Sequence, residues 1–219
     1  MTAIISPKVC RAFTILIDMD YIDTSDVNTT NPKLFLYQSG YLTIKNVIED
    51  SYVLGFPNCE VKKALFELVI PIMLKKDKDE TENAIQELKM NFSTGNVEEG
   101  TLCLKQLIAH TPYSTQKKER FVFEEHFRFI LKNLFYICGF NVKEEEQVAD
   151  GRIDLVVETS NIIYVIELKM SDNGGTSAAT QQIITRHYKD VYCASHKSVV
   201  GLALVFDKDN RGLKDWNKV

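Results

Sequence analysis

The chain has 219 residues, 45% of them hydrophobic, and a formal net charge of −4. That size and apolar content support one large domain or two small ones with real cores. The acidic balance excludes a globally basic polyanion binder, and no run approaches the ~20 apolar residues of a membrane span.

In the first part, "PKLFLYQSGYLTI" reads as a helix ending near Gly40. "YLTIKN" and "SYVLGF" alternate as two strands of a hairpin around "VIED". "PNCEVKKALFELVIPIML" then begins a helix with Asn58 as its N-cap. Helix, hairpin and helix together suggest a small lid-like or winged module. "KKDKDETEN" (75–83) is charged, lacks apolar residues and reads as a solvated linker or a first helical turn. "AIQELKMNF" and "VEEGTLCLKQLIAH" form a helical hairpin broken at "STGN". "TPYSTQKK" (111–118) is the best boundary. A mainly helical segment with a β-hairpin is thus expected over 1–114, and a second domain over 115–219.

The second part is more regular. In "ERFVFEEHFRFILKNLFYIC", Phe123, Phe127, Ile130, Leu131, Leu134, Phe135 and Cys138 fall at helical spacing, and Gly139 is a stop signal. "FNVKEEEQV" reads as an edge strand whose charges discourage pairing. "RIDLVVE" and "IIYVIELKM" are β-rich runs joined by a short "TSN" turn. "SDNGGTS" is expected as a flexible loop, "AATQQIITRHYKDVYCAS" as a helix and "SVVGLALVF" as the final strand. The order α-β-β-β-α-β predicts an α/β (α+β) domain with a mixed central sheet flanked by helices.

The apolar run from Ile162 to Ile166 is interrupted by Glu167 and Lys169. A strand covered on both faces admits polar residues only where the sheet meets solvent, and two-residue spacing puts both side chains on one face. Asp154 lies in the neighbouring run, so a hairpin would bring it close to Glu167. Two carboxylates meeting at a rim repel unless a positive group lies between them. Lys169 does this in part; a divalent cation held by oxygen ligands does it better. Glu and Lys also decorate exposed strands, so Glu167 and Lys169 alone read first as a surface ion pair, and Asp154 in the neighbouring run brings the two readings level.

"GRIDLVVETSNIIYVIELK" resembles the D…(D/E)xK core of the PD-(D/E)xK nuclease superfamily. With "LFLYQSGYLTIK", "LGFPNCEV", "TGNVEEGTLCLKQLIAHTPYS", "ERFVFEEHF" and "QQIITRHY", it resembles more narrowly the nuclease-like domain attached to bacterial AAA-ATPase-like proteins. The resemblance implies a restriction-endonuclease-like core and hydrolysis of nucleic-acid phosphodiesters, DNA ahead of RNA. It makes Asp154 and Glu167 ligands of Mg²⁺ or Mn²⁺, together with the carbonyl of Leu168. It makes Lys169 the lysine that orients the attacking water. Gln182 and Tyr188 match the glutamine and tyrosine of the following helix, and Glu119 the acidic residue of the first core helix. Ile153 stands where the pattern often has Pro.

No GxxxxGK[ST] loop is found, so no ATP binding is expected, and the ATPase part of the resembled architecture is missing. The alternative is a non-catalytic nucleic-acid- or protein-binding module that keeps the fold, a remnant of a larger ATPase-linked protein. A homodimer is left open and no membrane is expected. The start "MTAIISPKVCRAF" lacks a signal-peptide pattern, and the five cysteines show no CxxC pair. They read as reduced, mostly buried thiols of a cytoplasmic protein. His187 beside Tyr188, "KKER" (117–120) and Lys132 are weaker candidates for phosphate contacts, and read first as solvated surface.

Overall fold

The computed structural model describes residues 32–109, 120–207, 209 and 212–219, with the backbone alone at 15–18 and 120–123. It divides into two compact units, Met1–Phe66 and Glu67–Val219. The break lies upstream of "TPYSTQKK". The helices just before that stretch pack on the C-terminal sheet.

In the first unit, α1 (Pro32–Gln38) precedes an antiparallel hairpin of β2 (Thr43–Ile48) and β3 (Ser51–Gly55). The hairpin was expected. A further strand, β1 (Ile15–Asp18), pairs with the other edge of β3, so the unit holds a three-stranded sheet. Leu34, Leu42, Leu54 and Phe56 are buried there. The helix α2 (Cys59–Leu74) starts at the expected cap, where Val61 N–H donates to Asn58 Oδ1 at 2.8 Å. Cys59 is disulfide-bonded, which corrects the expectation of reduced thiols throughout. Cys103, Cys138 and Cys193 are free, and Cys193 is exposed.

The charged stretch 75–83 opens a helix. Asp77 accepts from the N–H groups of Asp79 and Glu80 at 2.9 and 3.1 Å, and α3 (Lys78–Thr94) follows. Gly95, at φ 81°, ends it in the left-handed conformation that favours glycine. α4 (Val97–Ile108) completes the helical hairpin. α5 (Arg120–Ile137) buries Phe127, Ile130, Leu131, Leu134 and Phe135, as their spacing requires.

The C-terminal sheet contains β4 (Asn141–Val148), β5 (Gly151–Glu158), β6 (Ile162–Met170), β7 (Ser198–Asp207) and β8 (Gly212–Lys218), side by side in that order. Only β6 and β7 run parallel, joined through α6 (Gly175–Thr185), so the sheet is mixed. Tyr164 and Phe206 face α3 and α5. The Tyr164 hydroxyl donates to the Phe92 carbonyl at 2.7 Å, and the Phe127 ring stacks on Phe206 with centroids 4.4 Å apart. Val156, Ile163, Val165 and Ala203 form a second core with Ala179 and Ile183 of α6 and with Tyr188.

Two expectations change here. α6 begins at Gly175 inside the stretch read as a loop, and it ends at Thr185 rather than running on to Ser195. His187 adopts a positive φ of 49°, and a short 3-10 turn follows at Asp190–Tyr192. This break turns Tyr188 back into the core, where it is 1% exposed. β8 was not foreseen, because an edge strand with Lys214, Asp215 and Asn217 exposed carries too few apolar residues to announce itself.

Candidate active site

The antiparallel ladder between β5 and β6 runs from Glu158↔Ile163 to Leu155↔Ile166. The next positions on the two strands are Asp154 and Glu167. Both side chains are buried, at 6% and 1% exposure, so the reading of Glu167 and Lys169 as a surface ion pair does not hold. Asp154 Oδ2 accepts the Leu168 N–H at 2.9 Å, and Glu167 Oε1 accepts from Lys169 Nζ at 2.7 Å. Glu167 Oε2 is buried with no hydrogen-bond partner among the described residues.

Burial alone makes a carboxylate harder to ionise, and a second carboxylate beside it adds to the effect. Burial, then the Asp154 charge, push the Glu167 pKa up to about 8, against the pull of Lys169. Burial also raises Asp154, although the Leu168 N–H, Lys169, Arg128 and Arg152 oppose it. At Lys169, burial disfavours the ammonium, but the bond to Glu167 and the charges of Asp154 and Glu124 outweigh it and raise the pKa.

These groups open onto a cleft of about 590 Å³ lined by Glu124, Arg152, Asp154, Glu167, Lys169, Gln182 and Tyr188, among others. The sequence-derived residues Asp154, Glu167, Lys169, Gln182 and Tyr188 are thus brought together. Gln182 Nε2 donates to the Tyr188 hydroxyl at 3.4 Å, and that hydroxyl donates to the Arg152 carbonyl at 2.9 Å. Glu119 lies outside the described residues, as do the side chains of "KKER" (117–120). His187 is exposed, faces Asp190 at 3.2 Å and is not among the residues that line the cleft. Lys132 pairs with Glu144.

Sequence reasoning missed Glu124, Arg128 and Arg152. Glu124 and Arg128 are four apart on α5 and so share a face; Arg152 is two before Asp154 on β5. Arg128 Nη1 lies 3.8 Å from Asp154 Oδ1. The edge strand also proves less solvated than its charges suggested. Lys143 pairs with Glu146 at 2.7 Å, and the Tyr192 hydroxyl donates to the same carboxylate.

Residues 122–216 match the PD-(D/E)XK nuclease superfamily. Within the matched PD-(D/E)XK range, Glu167, Leu168 and Lys169 spell the (D/E)XK triplet. The chain is also similar to the "Uncharacterized protein in vnfD 5'region" of Azotobacter chroococcum mcd 1, with 25% identity over 194 residues. That alignment covers 86% of this chain and 37% of the relative, so the chain spans little more than a third of that protein's length. No solved structure matches. Among the described residues, no helix is long and apolar enough to cross a membrane.

Proposed function

We propose that the chain is a divalent-metal-dependent nuclease that hydrolyses phosphodiester bonds of nucleic acid, DNA ahead of RNA. One observation carries this reading: two buried carboxylates converge at a cleft, and one of their oxygens, Glu167 Oε2, has no hydrogen-bond partner among the described residues. Such an oxygen suits a hard cation. Asp154 and Glu167 would hold Mg²⁺ or Mn²⁺. The Leu168 carbonyl would join them, because an extended residue turns its N–H and C=O to the same side and the Leu168 N–H already points to Asp154. When bound, the ion supplies positive charge at the scissile phosphate and makes water more acidic.

Lys169, held by Glu167, orients the attacking water and offsets charge in the transition state. Gln182 steadies the floor of the cleft through Tyr188 and the Arg152 carbonyl. Glu124 lines the same cleft and adds negative charge beside the Lys169 ammonium.

A second reading, a binding module without catalysis, draws on a different observation. The formal net charge is −4, which gives the chain no bulk attraction for a polyanion. A nuclease assay on single- and double-stranded DNA and RNA, with Mg²⁺ or Mn²⁺, decides between them. Cleavage by wild type that is lost in Asp154→Ala supports the nuclease. Substrate bound but uncut under every condition overturns it in favour of the module.

A further inference from the structure

Two guanidinium groups from different elements meet on one oxygen beside the candidate site. Arg128 Nη2, from α5, lies 3.2 Å from Glu145 Oε1, and Arg152 Nη1, from β5, lies 3.1 Å from the same atom. Glu145 sits on β4 between Glu144 and Glu146, the partners of Leu155 and Ile153, and therefore stands across from Asp154. Its backbone is left-handed, at φ 50°, inside a strand. That conformation is unfavourable for a residue with a Cβ, and it occurs where both guanidinium groups meet the Glu145 carboxylate.

The donor arithmetic is unequal. Each guanidinium carries five N–H donors in a planar fork. The shared Glu145 oxygen, together with Asp154 Oδ1 at 3.8 Å from Arg128 Nη1, uses few of them. A phosphodiester presents two non-bridging oxygens, the acceptor geometry that such forks match in bidentate fashion. The Arg152 side chain is 49% exposed and lines the cleft, whereas Arg128 is held in place at 11% exposure. Glu145 itself is 40% exposed, so an incoming anion has access to the pair.

We infer that Arg128 and Arg152 form a phosphate-binding subsite for the nucleic-acid backbone, and that Glu145 is its internal stand-in, displaced when the backbone docks. The inference rests on the proposed nucleic-acid substrate and adds how it is gripped. It also accounts for how a chain of net charge −4 meets a polyanion. The contact is one local pair of arginines, partly neutralised by Glu145 until a phosphate replaces the carboxylate.

The test is fluorescence anisotropy with labelled single- and double-stranded DNA oligonucleotides in EDTA, so that no cleavage intervenes, over a range of salt. Glu145→Gln should bind more tightly than wild type, because the competing charge is gone. Arg152→Ala should bind more weakly, with the slope of log affinity against log salt on duplex DNA reduced by about 0.9, one phosphate contact. Arg152→Lys should restore much of the slope. The exposed side chain makes Arg152 the safer site for substitution, and thermal melts verify that each variant folds.

Equal or weaker binding by Glu145→Gln, an unchanged salt slope in Arg152→Ala, or no binding by either wild type or Glu145→Gln overturns the inference. The two readings fail separately. If the binding pattern holds while Mg²⁺ or Mn²⁺ yields no cleavage, the nuclease reading falls and the subsite stands. If Asp154-dependent cleavage occurs while both variants bind as wild type, the subsite falls and the nuclease stands.

Discussion

The Leu168 N–H donates to Asp154 Oδ2 at 2.9 Å, just past the last paired residues of the β5/β6 ladder. The aspartate therefore does a backbone's work at the point where the strands part, and it is tied to the residue between Glu167 and Lys169.

Asp154→Asn and Asp154→Ala should consequently differ. Both remove the charge beside Glu167, but only Asn keeps an acceptor for the Leu168 N–H. Ala should be less stable than Asn by about 1–3 kcal/mol, the cost of leaving a buried donor unsatisfied. Millimolar Mn²⁺ or Mg²⁺ should raise the melting temperature of wild type by mass action and leave both variants unmoved. Denaturant titrations with and without metal check this; equal stability of the two variants would remove the role assigned to the N–H bond.

Glu167 governs the pH dependence of the metal-free protein. Its folded-state pKa of about 8 lies above the ordinary 4.5, so between those values the folded state keeps a proton that the unfolded chain has released. Stability then falls as pH rises from about 4.5 to 8, by a few kcal/mol at most. Asp154, also raised, works in the same direction. Glu167→Gln cannot ionise and should flatten the slope. Melting curves at pH 5, 6.5 and 8 measure it. A wild type that gains stability across this range would contradict the burial argument.

Lys169 is assigned to the water or the transition state rather than to the ion. Lys169→Ala should keep metal-dependent stabilisation while cleavage drops by roughly 10²–10³-fold, typical of losing one electrostatic stabiliser. Lys169→Arg should rescue only in part, since a planar fork replaces a compact ammonium. Undiminished cleavage by Lys169→Ala would make the lysine a structural partner of Glu167 alone.

Gly151 supports the other side of the cleft. Its φ is 150°, and a Cβ there would come within 2.9 Å of the Tyr188 hydroxyl. Gly151→Ala should therefore push Tyr188 off the Arg152 carbonyl and cost about 1–3 kcal/mol. Tyr188→Phe, which removes only the hydroxyl, should cost about 1 kcal/mol and leave room at Gly151. The double variant Gly151→Ala/Tyr188→Phe should lose less than the sum of the two. Strict additivity in a double-mutant cycle would show that the two residues do not interact.

By itself, the sequence determined the helices and strands whose apolar residues repeat: α5, with Phe127 to Phe135 on one face, and β5 and β6, whose runs read as buried strands. It also placed Asp154, Glu167 and Lys169 together, because local alternation and one short turn suffice to align a hairpin. Tertiary structure alone decided the rest. The end of α6 depends on Tyr188 turning back into a core formed by distant strands. β8 has too few apolar residues to declare itself, and becomes a strand by pairing with β7. The contact of Glu145 with Arg128 and Arg152 joins three elements. No spacing along the chain encodes it, since ion pairs of this kind are set by how α5, β4 and β5 pack and not by the local period of any one of them.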